Sequence, residues 1–250
     1  MKSLSKVFAI IELLKKNKVM KLQEVANDLN IHKSTVHRII SSLCAYGYVQ
    51  RSDETKKYRL GLKFLDISST IIGNLDIREV AKKSIEELNN ITKETVHLAM
   101  LLGNQVIYID KKESLYSIRM YSEIGKNAPL HCTGVGKVIL AFQPPKIQEK
   151  LLDSITFHKY TENTIVSMKQ LMREVEEIRE KGYALDKEEH EKNIGCMAVP
   201  IRDYTKKVIA SISVTAILYR MNIEDLIKYK NMVLEKGYEI SRKLGYRENG

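Results

Sequence analysis

Lys33-Ser34-Thr35-Val36-His37-Arg38-Ile39-Ile40-Ser41-Ser42-Leu43, closed by Gly47 and followed by Tyr48-Val49-Gln50-Arg51, is the stretch that decides how this chain is read. Val36, Ile39, Ile40 and Leu43 fall on one stripe of a helix. Ser34, His37, Arg38 and Ser41 fall on the opposite stripe, with Lys33 and Thr35 at its start. A helix that reads base edges needs that division, with hydrogen-bonding groups near its N-terminus and no bulky apolar surface outward. An ordinary solvated helix carries the same pattern, so the neighbouring sequence has to choose.

Upstream, Leu4, Val7, Phe8, Ile11 and Leu14 predict a first helix with one buried face, and Leu22, Val25, Ala26 and Leu29 a second. Asn30-Ile31-His32 makes a tight turn into the third helix, and Gly47 ends it. Downstream, residues 48–52 read as a strand, 53–56 as a turn and 57–60 as the returning strand. Tyr58 and Leu60 pack, while Lys57 and Arg59 face outward. The cations Arg51, Lys56 and Lys57 thus sit on a wing beside the third helix, where phosphates would lie. Three helices with a basic wing is a winged helix-turn-helix, expected over residues 1–61. Charge agrees: up to residue 75 there are 13 lysines and arginines against 6 acids, and beyond it 28 against 25. The basic front is expected to meet double-stranded DNA.

Residues 62–75 carry Leu62, Phe64, Leu65, Ile67, Ile71, Ile72 and Leu75, too apolar for a solvated linker. A linker helix is expected, packed either on its twin in a second subunit or on the rear of its own chain. Asp76 and Glu79 have the spacing of a capping box and open a rear domain over 76–250. There, Val96, Leu98 and Met100 alternate with His97 and Ala99, and Gly103-Asn104 turns the chain into Val106-Ile107-Tyr108-Ile109. Helices are expected at about 135–142, 144–153 and 167–181, strands around 194–201 and 207–217, and a final helix at 223–243 capped by Asn222. Strands with helices packed around them make the fold class α+β.

Four places in the rear domain hold chemistry. His131-Cys132-Thr133-Gly134-Val135-Gly136-Lys137 runs a glycine turn into a helix. It is no phosphate loop, because Val138 stands where Ser or Thr is required, but its N–H groups suit a small carboxylate. Asp186 and Cys196 are either a surface charge and a core thiol or part of a site. Ser211, Ser213 and Thr215 share one face of a strand, lining a polar pocket or facing water. Met120 is core or ligand wall.

The front stretch, with Gly47-Tyr48-Val49 and Tyr58-Arg59-Leu60-Gly61, resembles the IclR family of bacterial regulators. So do Pro129-Leu130-His131, Gly134 to Lys137, Gly182-Tyr183-Ala184, Asp186 to Glu189, Cys196 to Arg202 and Ile209 to Thr215. The resemblance covers nearly the whole chain and extends to the subgroup that represses pectin and 2-keto-3-deoxygluconate catabolism. It implies a GAF-like effector-binding domain in which Gly134, Val135, Asp186, Cys196, Ser213 and Thr215 contact a ligand, with Met120, Ala128 and Ile194 on its apolar wall. It departs at Lys21, where a Ser or Thr commonly starts the second helix, and at His32, where proline is common.

The function expected is a sequence-specific repressor controlled by a small organic acid, such as a keto acid or sugar acid. A homodimer or dimer of dimers is expected, because operators are two-fold. Cys196 as a nucleophile with His190 and Asp186 would make an enzyme instead, but no oxyanion or metal constellation accompanies it. No enzyme activity, cofactor or metal is expected. A non-specific DNA-coating protein is the third reading. No run of eighteen apolar residues or cleavable leader is seen, and three scattered cysteines build no disulfide framework. A cytoplasmic protein is expected, with no membrane partner.

Overall fold

A computed structural model describes residues 3–73, 76–117 and 122–248. Two compact units make up the chain, Met1–Asn74 and Leu75–Gly250.

The first unit contains α1 (Ser3–Asn17), α2 (Leu22–Asp28), α3 (Lys33–Ala45), β1 (Val49–Arg51), β2 (Tyr58–Leu60) and α4 (Lys63–Gly73). Its core joins Ile10 and Leu14 of α1 to Val25, Val36, Ile40 and Val49. Of α1, Ile10 and Leu14 are buried and Val7, Ile11 and Leu13 pack partly against the core, whereas Leu4 and Phe8 are exposed, against expectation. The packed face of α1 is centred on Ile10 and Leu14, and Leu4 and Phe8 fall outside it. Glu24 accepts the Lys21 N–H at 2.6 Å. Since a lysine side chain offers no acceptor in return, α2 starts without the usual hydroxyl. Asn30 takes the left-handed turn between α2 and α3 at φ 50°, and Gly47 ends α3 at φ 77°, where Tyr48 N donates to Leu43 O at 2.9 Å. Met20 adds a bridge to Tyr58 at the free edge of the wing.

Among its described side chains, α4 turns Phe64 onto Tyr48, with ring centroids 5.3 Å apart, and leaves Leu65 exposed, as is Leu62 just before it. The helix thus groups with the front unit rather than standing apart as a separate segment. Leu75 and the side chains of Ile71, Ile72 and Asp76 lie outside the described residues, and with them the expected capping box.

The second unit runs α5 (Asp76–Thr92), β3 (Thr95–Leu102), β4 (Gln105–Lys112), β5 (Asn127–Ala128), α6 (Gly134–Ala141), α7 (Pro145–Asp153) and α8 (Met168–Lys181). It continues with β6 (Ala184–Lys187), β7 (Ile194–Arg202), β8 (Val208–Ile217), α9 (Ile223–Lys228) and α10 (Lys230–Lys243). The expected final helix is two, broken at Tyr229, which ends one and starts the next. The six strands form one sheet in the order β5-β4-β3-β8-β7-β6, and every pairing is antiparallel.

Both faces of the sheet are covered. Val96, Leu98, Met197, Val199, Ile212 and Val214 meet α5, α9 and α10. Ala99, Cys196 and Ala198 meet α6, α7 and α8 on the other side. Strand alternation therefore sends Ser211, Ser213 and Thr215 toward the α6 side, where all three are buried rather than facing water. Each fully buried aliphatic side chain stabilises its unit by about 1.5–3 kcal/mol, so polar residues kept on such a face mark a place where packing yields to something else.

Candidate functional site

That place lies where the N-terminus of α6 meets the sheet. Thr133 caps the helix: its Oγ1 accepts Gly136 N at 3.1 Å and donates to Pro129 O at 2.8 Å. Lys137 N makes the first intrahelical bond, to Thr133 O. The N–H groups of Gly134 and Val135 precede it and sit at the positive end of the helix dipole. Gly134 is needed there, because a Cβ would come within 2.6 Å of Cys196 Sγ and 3.1 Å of Ala198 Cβ. The helix end is pressed directly onto β7.

Opposite this end, a pocket is lined by Gly134, Val135, Asp186, Cys196, Ser213 and Thr215, with Ile194 on its wall. Seven of the nine residues expected to contact a ligand thus meet in one place. Ala128 is buried in the adjoining core but does not line the pocket, and Met120 lies outside the described residues.

Sequence reasoning missed other lining residues, notably His97, Tyr108, Ser122 and Lys126, and named His190, which also lines the pocket, only as a partner for a nucleophilic Cys196. His97 Nδ1 lies 3.2 Å from Thr215 Oγ1 and Nε2 2.7 Å from Ser122 Oγ. Burial, with a smaller push from Lys111, lowers its pKa to about 3, so the ring is neutral and bridges two hydroxyls. Burial also raises the Tyr108 phenol far above its ordinary range. Asp186 accepts Glu189 N at 2.7 Å. Burial, then the nearby Glu189 charge, pushes its carboxyl up to about 7. Cys196 is pushed up to about 12, first by burial and then by Asp186. A thiol held protonated is no nucleophile, which counts against the reading of Cys196 as one.

Behind the pocket, Lys137 is fully buried. Its Nζ donates to Glu189 Oε1 at 2.6 Å, Glu174 Oε1 at 2.9 Å and Leu185 O at 2.6 Å. Burial works against its charge, but Glu189 and Glu174 more than offset it and its pKa rises. The ion pairs lock α6 to α8 and to the loop after β6, which carries Asp186. Among the described residues no group of His, Cys, Asp or Glu has the arrangement of a metal site.

In the front unit, Lys33, Ser34, His37, Arg38 and Ser41 are exposed along α3, and Thr35 is half-buried. Lys33, Ser34, His37, Arg51 and Lys56 border one groove between α3 and the wing. Arg38 instead borders a separate, smaller hollow beside Tyr46, and Lys57 is half-buried.

Residues 3–53 match the IclR helix-turn-helix domain, and residues 69–242 the C-terminal domain of bacterial IclR transcriptional regulators. The chain belongs to the IclR family. This IclR-family transcriptional regulator is 35% identical to the HTH-type transcriptional regulator KdgR of Escherichia coli K12, over 98% of this chain and 94% of that one. The Thermotoga maritima IclR crystal structure superposes with a TM-score of 0.76 at 36% identity, covering 98% of this chain and all of the other. An IclR homologue from Microbacterium hydrocarbonoxydans, complexed with 4-hydroxybenzoate, shares the fold at a TM-score of 0.81 and 22% identity, over 97% of this chain and 99% of that one. These relatives are regulators rather than enzymes. No helix among the described residues is long and apolar enough to cross a membrane.

Proposed function

We propose that this regulator is a repressor whose hold on a two-fold operator is set by a small organic acid, a keto acid or sugar acid, bound at the N-terminus of α6. The observation that carries the reading is the meeting of Gly134 and Val135 N–H groups with Asp186, Cys196, Ser213 and Thr215 in one buried pocket. Helix N–H groups suit a carboxylate, and the hydroxyls and Asp186 suit keto or hydroxyl oxygens further along the ligand. Ile194 lies on the wall. That the Microbacterium homologue takes a carboxylic acid supports the class of ligand.

In this reading residues 1–61 hold DNA, 62–75 join the parts and 76–250 sense the ligand. Ser34, His37, Arg38 and Ser41, entered by Lys33 and Thr35, read bases from the major groove, while Arg51, Lys56 and Lys57 hold phosphates. The cytoplasm, where operator and metabolites meet, is its compartment. Two chains place two α3 helices on successive major-groove faces, and the acid acts through unequal affinity for two spacings of those helices. A hundredfold change in operator affinity needs about 2.7 kcal/mol of such inequality, within reach of a few buried hydrogen bonds.

Gel-shift titration on the DNA flanking the regulator's own gene tests this. The operator affinity should change at least tenfold when pyruvate, D-gluconate, D-galacturonate or 2-keto-3-deoxygluconate is added. Operator binding indifferent to every acid, with no acid raising the melting temperature, would falsify the reading.

A further inference from the structure

The groove between α3 and the wing has a corner built around His32, the residue just before α3. His32 borders the groove together with Lys33, Ser34, Arg51 and Lys56. A residue in that position ordinarily turns a side-chain oxygen back onto the first N–H groups of the helix. His32 makes no such cap. Its ring reaches along the helix instead, with Nδ1 2.9 Å from Ser34 Oγ, and both residues are exposed. Among the described residues, Nε2 on the other edge of the ring has no hydrogen bond within the protein.

This corner suits a phosphate of the DNA backbone. Lys33, Arg51 and Lys56 border it. The first backbone bonds of α3 run from Thr35 N and Val36 N to His32 O, so the N–H groups of Lys33 and Ser34 precede the ladder at the positive end of the helix. A phosphate offers lone pairs and no proton, so docking on it fixes the proton of a neutral imidazole at Nε2. Nδ1 is then a bare lone pair, and the contact with Ser34 is the hydroxyl donating to it. The one proton of Ser34 is spent, and only its lone pairs remain for a base. In the major groove adenine and cytosine meet such an acceptor with an amino group, whereas guanine and thymine meet it with a carbonyl oxygen.

Resting on the assignment of α3 as the base-reading helix, we infer that His32 is a specificity-determining residue that acts through Ser34. Docked on a phosphate, it makes Ser34 an obligate acceptor, which selects adenine or cytosine over guanine or thymine at one position of each half-site. A serine left to itself contacts bases of either kind. One ring thus couples a backbone contact, which carries no sequence information, to a base preference.

The test is competition gel shift of the full chain on the operator in the DNA flanking its own gene, with each half-site base pair substituted in turn. It is run at about pH 8.5, where a free imidazole is uncharged. At one position of one strand the wild type should favour A and C over G and T by about three- to tenfold. Ser34→Thr, which keeps the hydroxyl, should keep that preference. Ser34→Ala and His32→Ala should each flatten it to within about twofold and leave other positions as selective as before, and the double variant should be no flatter than either alone. His32→Ala should also weaken every sequence by about three- to tenfold through the lost phosphate contact. If His32 holds a phosphate and nothing more, His32→Ala weakens all sequences with the preference intact; that result overturns the inference, as does a His32→Ala variant that binds like the wild type. Base preferences untouched by Ser34→Ala also overturn it, but leave the assignment of α3 standing if Arg38→Ala still changes one. If neither Ser34→Ala nor Arg38→Ala moves any base preference, both fall together.

Discussion

Asp186 and His97 are buried in the same pocket, yet protons pull on them in opposite directions. Asp186 keeps its proton in the folded state up to about pH 7, whereas an unfolded aspartate releases it near 3.8. The folded state binds the extra proton across that window, so this residue's contribution to stability falls as pH rises from about 4 to 7. His97 refuses a proton until about pH 3, against an ordinary 6.5. Its contribution is full above 6.5 and is lost as pH falls. Over pH 4–6.5 the two largely offset each other. Asp186→Asn, which retains an acceptor for Glu189 N, should expose the histidine. Urea unfolding of the rear unit should then show stability rising with pH between 4.5 and 6.5. Its advantage over wild type above pH 7 should reach roughly 2–4 kcal/mol. A variant with the wild-type pH profile would show that Asp186 titrates normally. His97 also shows the limit of reading single residues. The alternation of Val96, Leu98 and Met100 identified one buried face of β3, and the same alternation assigned His97 to the other. Nothing in a strand says that both faces are covered, because the α6 helix that covers the second lies far along the chain.

At the scale of elements, the glycine turn into α6 was legible as a helix start, and the hydroxyls of β8 as one stripe. That they face each other follows from the antiparallel order of the sheet, which no local pattern carries. Lys137 illustrates the difference: in sequence it continues a glycine turn, and in the fold it is the tie among α6, α8 and the β6–β7 loop. Lys137→Met would leave Glu189 buried without its cation and should destabilise the rear unit by about 3–5 kcal/mol. Adding Glu189→Gln should recover part of the loss, since Glu174 retains some contact with water. Equal stability of wild type and Lys137→Met in chemical denaturation would remove the tie from the account. The front unit was read more fully because its elements are short, consecutive and punctuated by Asn30 and Gly47. Only the phase of α1 and the bridge at Met20 escaped, both of them products of packing. Its wing also makes a separable prediction. Lys56→Ala should weaken binding to every DNA sequence alike and lower the slope of log affinity against log salt by about 0.9. A loss confined to one sequence would reassign Lys56 from phosphate to base.

For the whole molecule, the positive charge is concentrated in the unit that carries α3, while the rear unit is close to neutral. That asymmetry gives attraction to DNA but no sequence preference, which the proposed function assigns to the exposed edge of α3. The most direct measurement is therefore a competition footprint of the full chain on its operator, comparing wild type with Arg38→Ala against each single base change in the half-site. The account predicts two protected half-sites related by two-fold symmetry. It also predicts that Arg38→Ala loses about 1–3 kcal/mol at one base pair in each half while leaving the others as selective as before. Uniform weakening with every base preference preserved, or protection without symmetric half-sites, would contradict it.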